Sequence, residues 1–247
     1  MAAETGSGDQ SGGLFSTTKW SLVLAAGDTV APSSREALAA LCRLYWYPVY
    51  ALIRHLGNDR DSSKDLAQGF FAYLLENQTL KIADPERGSF RSFLKAVLYN
   101  YLRHERRREQ AQKRGGGRPR LDLDFEGAEA RYRSELSHDE TPDKLFEKRW
   151  AQTLLTRAFE RLGNETADES DHQRFRVLAP FLTEGSQGRS YADVAVELAM
   201  TEGAVKATVH RMRKRYGQLL RAEVAQTLAD PDQVEKEIRY LFSIVTA

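Results

Sequence analysis

Between residues 88 and 108 (GSFRSFLKAVLYNYLRHERRR) apolar side chains fall at Phe90, Phe93, Leu94, Val97, Leu98, Tyr101 and Leu102, three and four apart. Arg91, Lys95, Asn100, Arg103 and the run from His104 to Arg108 hold the other side. That spacing follows the period of an α-helix and departs from the alternation of a strand. The same period recurs in TTKWSLVLAAG, in SSREALAALCRLYWYPVYALIRHLG and in DSSKDLAQGFFAYLLENQ. In the second of these, Ser33 or Ser34 is the expected cap and Pro48 an expected interruption. Downstream it returns in LFEKRWAQTLLTRAFERL, where Thr141-Pro142 supplies a hydroxyl cap and a proline at the first helical position, in HQRFRVLAPFL, and from Ser190 to Leu228. No segment gives a persuasive strand, so the expected fold class is all-α.

With 247 residues and 41% hydrophobic content, the chain can build a real core. Composition shifts divide it. Residues 1–13 are small and polar and read as a disordered tail; residues 14–108 read as a first helical domain. Residues 109–140, with a Gly triplet, a Pro and dense charge, read as a flexible linker; residues 141–227 read as a second helical domain. Residues 228–247 read as a helical extension, capped by Asp230 with Pro231 following, whose Val234, Ile238, Leu241, Phe242 and Val245 form one apolar face. Packing of that face on the second domain is the favoured expectation, with a regulatory contact or self-association as the alternative.

The net charge is only +1, but it is unevenly placed. Residues 81–120 hold twelve Lys/Arg against four Asp/Glu, residues 121–147 three against nine, and residues 203–221 six against none. Two cationic blocks therefore flank an acidic one, a pattern that points to a polyanionic partner more than the overall sum does. The single Cys42 forms no internal disulfide, and the five histidines are scattered, so neither a metal nor a cofactor is expected. No export signal or bilayer-length apolar run is apparent, which suggests a cytoplasmic protein. No nucleophile, base and orienting group cluster together, and the Gly triplet lacks the surroundings of a phosphate loop, so an enzyme is not expected.

SYADVAVELA, a turn at Met200-Thr201 and GAVKATVHRMRKRYG have the spacing of a helix-turn-helix, with Ala195 small enough for a close crossing and Thr201 as cap. Val205, Val209 and Met212 should pack inward. Glu202, Lys206, His210, Arg211, Arg213, Lys214 and Arg215 should face outward, where a helix seated in a major groove meets base edges and phosphates. Neutralising about five phosphates gives a log-log salt slope of roughly −4 to −5. In the first half, Phe90 beside a DPERGS loop and several arginines matches what unpaired bases require: a ring to stack on and cations along the backbone.

Three motifs carry a family resemblance. Phe-x-x-Phe-Leu-x-x-Val-Leu-x-Asn (Phe90 to Asn100) resembles the second conserved region of extracytoplasmic-function sigma factors, subunits of bacterial RNA polymerase. DLAQGFFAYLL (65–75) resembles their Asp-Leu-x-Gln-x-x-Phe helix, and residues 190–221 resemble their fourth-region helix-turn-helix, in the same order. Further stretches resemble a Planctomycetes-like subgroup, so that the likeness spans roughly residues 14–247. Lys64 and Gly69 stand where the family usually has acids, and Ala199 replaces the Gly common near the turn.

The resemblance implies two helical domains, the region 2 bundle and the region 4 helix-turn-helix, and a protein that binds core RNA polymerase and promoter DNA. Asp65 and Gln68 would dock on the polymerase. Arg87, Ser89, Phe90, Asn100, Arg103 and Arg107 would hold and melt the −10 element. Lys206, Thr208, His210 and Arg211 would read the −35 element. An anti-sigma factor or a regulatory kinase would be a further partner. A free 32-residue linker has an r.m.s. span of about 30 Å, whereas two such elements lie about 70 to 85 Å apart, so the enzyme would have to hold the halves apart, with the acidic linker following a basic exit channel. The rival readings are a stand-alone helix-turn-helix repressor or activator and a helical adaptor that binds no DNA.

Overall fold

The computed structural model describes residues 23, 34–77, 79–84, 89–111, 124–134, 140–183, 188–228 and 230–246. Among them are ten α-helices, two short 3-10 turns and no strand. The N-terminal tail, most of residues 14–33, the loop that contains Arg87, and residues 112–123 lie outside the described residues.

Helix α1 (Ser34–His55) runs straight past the proline expected to interrupt it. Pro48 removes one hydrogen bond from a helix interior. Here the flanking residues Leu44, Val49, Tyr50, Leu52 and Ile53 are all fully buried, and this packing holds the helix together across the lost bond. Helix α2 (Arg60–Glu76) starts where Asp59 accepts the Ser62 N–H at 2.9 Å, and a 3-10 turn (Thr79–Ile82) follows it. Helix α3 (Phe90–Ala111) starts at Ser89, whose Oγ accepts the Ser92 N–H at 3.3 Å.

Residues 125–134, expected to belong to a flexible linker, form helix α4 (Phe125–Ser134). Phe125, Ala128, Glu129 and Tyr132 fall at i, i+3, i+4 and i+7, and all four are buried against the first half of the chain. Phe125 meets the Trp46 and Tyr50 rings edge-on at 5.4 and 5.8 Å. Glu129 accepts from Tyr50 Oη at 2.6 Å and from Arg54 at 3.0 Å. The Arg54 hydrogen bonds above all, helped by the Tyr50 hydroxyl, pull the Glu129 carboxyl down to about 2. A charge-dense segment is thus a packed element, because its two aromatic residues and Ala128 fall on one face.

Helix α5 (Pro142–Gly163) begins as its sequence predicts, with Thr141 accepting the Lys144 N–H and Pro142 in the first turn. It is the spine of the molecule. Phe146, Trp150, Ala151, Leu154 and Ala158 are completely buried, and α5 packs most extensively against α1 on one side and the long helix α9 (Glu202–Ala225) on another. One hydrophobic core therefore runs from α1, α2 and α3 through α4 and α5 into Leu219, Leu220 and Val224 of α9. The expectation of two lobes kept apart by a linker differs from this arrangement: α5 carries apolar residues on more than one face and buries them against both halves at once.

A second, smaller core joins α6 (Glu169–Leu178), α7 (Pro180–Thr183), α8 (Tyr191–Glu197) and the first half of α9, through Val177, Leu178, Phe181, Val194, Val205 and Val209. After a 3-10 turn at Pro231–Gln233, whose start Asp230 caps through the Asp232 N–H, helix α10 (Val234–Val245) lies across α5 and α9. Leu241 is its buried anchor. Val234, Ile238 and Val245 are half-buried, and Phe242, expected on the packed face, is 48% exposed.

Candidate nucleic-acid interface

Local chemistry fixes the helix-turn-helix. Ser190 and Asp193 form a capping box at the start of α8: the Ser190 side chain accepts the Asp193 N–H while the Asp193 carboxylate accepts the Ser190 N–H. The helix ends with the Met200 N–H on the Ala195 carbonyl at 2.8 Å and the Ala199 N–H on the Val196 carbonyl at 3.2 Å. That pattern requires a left-handed residue between them, and Ala199 has φ 51°. Thr201 then accepts the Ala204 N–H and opens α9.

Val205 and Val209 of α9 are buried and Met212 is half-buried against the small core, which turns the opposite face to solvent. Lys206, His210 and Lys214, spaced four apart, are exposed on that face, with Arg211 beside them. Lys206 pairs with Glu202 at 2.6 Å, one turn earlier, and the hydrogen bond to that carboxylate raises its pKa. Thr208 is half-buried: it donates to the Ala204 carbonyl at 2.9 Å and accepts from Arg211 at 3.0 Å, so it orients the arginine. Two further cations, Arg213 and Arg215, are exposed as expected but also reach neighbouring elements. Arg213 donates to the Phe181 carbonyl at 2.9 Å, and Arg215 grips Glu165 with two hydrogen bonds of 2.6 and 2.7 Å. These residues sit at the two flanks of α9, within reach of its neighbours.

The other cationic helix divides along its length. Asn100, Arg103 and Arg107 are exposed, as are Arg106 and Arg108. At the helix start the expectation fails: Phe90 is 3% exposed, its ring edge-on to Tyr45 at 5.3 Å inside the main core, where no base can reach it. Ser89 is engaged as the cap of α3. Arg87 lies outside the described residues. In α2, Asp65 is exposed, but Gln68 is buried, so a docking surface made of both is not presented in this conformation. A neighbouring contact was not foreseen: α4 reaches α2, with Lys64 over the Phe125 ring at 5.3 Å and Arg60 at 3.9 Å from Glu126.

The acids that meet α3 were also missed. Arg91 lies between Glu147 of α5 (2.7 Å) and Glu237 of α10 (2.5 Å), and Lys95 between Glu147 (2.8 Å) and Asp143 (3.2 Å). Burial opposes both positive charges, and the carboxylates overcome it, so that both cations are held above their usual pKa. Burial raises the Glu237 carboxyl in turn. The available signal was the juxtaposition of a net-positive block at 81–120 with a net-negative one at 121–147.

Among the described residues no group of His, Cys, Asp and Glu could hold a metal ion, and no helix is long and apolar enough to cross a membrane. Burial above all pushes the Cys42 thiol up to about 12, leaving it unreactive. No family model, curated protein or solved structure matches the chain.

Proposed function

We propose that the protein is a sigma-type initiation subunit of RNA polymerase, acting in the cytoplasm, which binds core enzyme and reads −35 and −10 promoter elements through α9 and α3. It has no catalytic centre of its own in this reading and requires no cofactor; the chemistry is the polymerase's. The observation that carries the reading is the capped α8–α9 unit, with Lys206, His210, Arg211 and Lys214 exposed on the face opposite its buried valines. An N-terminal half-turn of such a helix reaches base edges while the cations behind it meet phosphates. The exposed arginine run of α3 supplies a second nucleic-acid surface, and the order of the motifs along the chain resembles that of the family.

The closed fold sets a condition. A compact chain of this length has a radius of gyration of about 18 Å, and two promoter elements about 70 to 85 Å apart exceed its reach. Promoter recognition by both helices therefore requires α1 and α5 to separate on the enzyme. One observation favours a second reading, a stand-alone duplex-binding regulator: with the halves fused, the helix-turn-helix face is presented while the start of α3 is sealed. Mixing the full chain with bacterial core polymerase separates the two. Near-stoichiometric co-elution and run-off transcription support the first; tight binding to a palindromic duplex with no polymerase capture supports the second and overturns the first.

A further inference from the structure

Arg91 and Lys95 occupy one face of α3, one turn apart. Further along that side the core residues Leu98 and Leu102 intervene before Arg106, which is exposed, so the cations of α3 are covered at its start and open toward its end. The cover is specific. Three carboxylates, from Asp143, Glu147 and Glu237, face two cations, and the Arg91 guanidinium also lies over the rings of Trp150 at 4.5 Å and Tyr240 at 5.2 Å. Acidic oxygens on the cation edges and an aromatic ring on the guanidinium face are what a nucleic-acid strand provides through its phosphates and bases. The helix that completes the cover is the least embedded of the bundle: α10 has Leu241 as its one buried residue among those described, and Tyr240 and Phe242 are exposed.

We infer that α10, together with the acidic edge of α5, is an autoinhibitory latch that occupies Arg91 and Lys95 in place of nucleic acid until the latch is drawn off. This rests on the reading that α3 binds nucleic acid. Ion pairs suit such a seam. Buried charges contribute little net stability compared with a well-packed apolar contact, and their partners are readily exchanged for phosphate or water once the helix lifts. A purely hydrophobic seam would offer an incoming strand nothing to bind.

The test is the binding of a 20-nucleotide oligothymidylate to the full chain across a salt series. In the Asp143→Asn/Glu147→Gln/Glu237→Gln variant, both cations lose every carboxylate partner, and the log-log salt slope should steepen by about 1.4, with affinity at low salt rising at least about fivefold. The pair Glu147→Gln/Glu237→Gln frees Arg91 alone, because Lys95 keeps Asp143, and should steepen the slope by about 0.7. A merely structural ion pair would change the melting temperature without changing the slope; unchanged slopes in whichever of these variants folds, as judged by circular dichroism, overturn the latch. Polymerase co-elution is measured in parallel. Steeper slopes without polymerase capture keep the latch and overturn the sigma reading, and capture with unchanged slopes does the reverse.

Discussion

Single residues decide how the helix-turn-helix is held and how many charges it can offer. Ala199 adopts a left-handed conformation that costs a residue with a Cβ about 1 kcal/mol, so Ala199→Gly should raise stability by about 0.5 to 1 kcal/mol in urea denaturation without altering DNA binding. Of the cations on α9, Lys206 and Arg215 are already paired with the carboxylates of Glu202 and Glu165, leaving Arg211, Arg213 and Lys214 as the phosphate contacts. The duplex salt slope should therefore be about −3, shallower than the count of basic residues implies, and Glu165→Gln should steepen it by about 0.9 by freeing Arg215. Glu129 gives the pH dependence. Its folded pKa lies below the ordinary carboxylate value, so its stabilising effect is complete above about 4.5 and is lost as pH falls toward about 2. Thermal melts between pH 5 and pH 2 should show a smaller loss of Tm in Glu129→Gln than in the parent protein.

At the scale of elements, the helices with strong periodic faces were legible in the sequence, and so were the caps at Thr141 and Thr201, whereas Asp230 caps a 3-10 turn that precedes the last helix. The inward residues Val205 and Val209 were legible for the same reason: their spacing alone fixes the face. Helix α4 was not, because its charge density resembles a linker and only four residues carry its packing. Phe125→Ala distinguishes the two descriptions: removing a ring wedged between Trp46 and Tyr50 should cost about 3 kcal/mol in chemical denaturation, whereas a flexible linker would lose almost nothing. The burial of Phe90 in the closed form was not legible for a related reason. An aromatic residue at a helix start has the same sequence appearance whether it meets a base or, as here, the Tyr45 ring in the core. Pairings between distant segments, such as Arg91 with Glu237, depend on the tertiary fold, and periodicity holds no record of them.

For the whole molecule, the sigma reading requires a closed protein, its halves joined through one main core, to open on the polymerase so that α3 and α9 reach separate promoter elements. Cys42 is buried and its thiol is unreactive, so labels can be directed to cysteines introduced elsewhere. Glu76 at the end of α2 and Gln173 in α6 are exposed and lie in opposite halves, outside the proposed nucleic-acid surfaces. The decisive measurement is the distance between spin labels in the Glu76→Cys/Gln173→Cys variant, taken free and then with core polymerase and promoter DNA. Opening on the polymerase should turn a single short distance in the free protein into one longer by several tens of ångströms in the complex, on the scale of the promoter spacing. A distance that stays the same when polymerase and promoter are bound would contradict it.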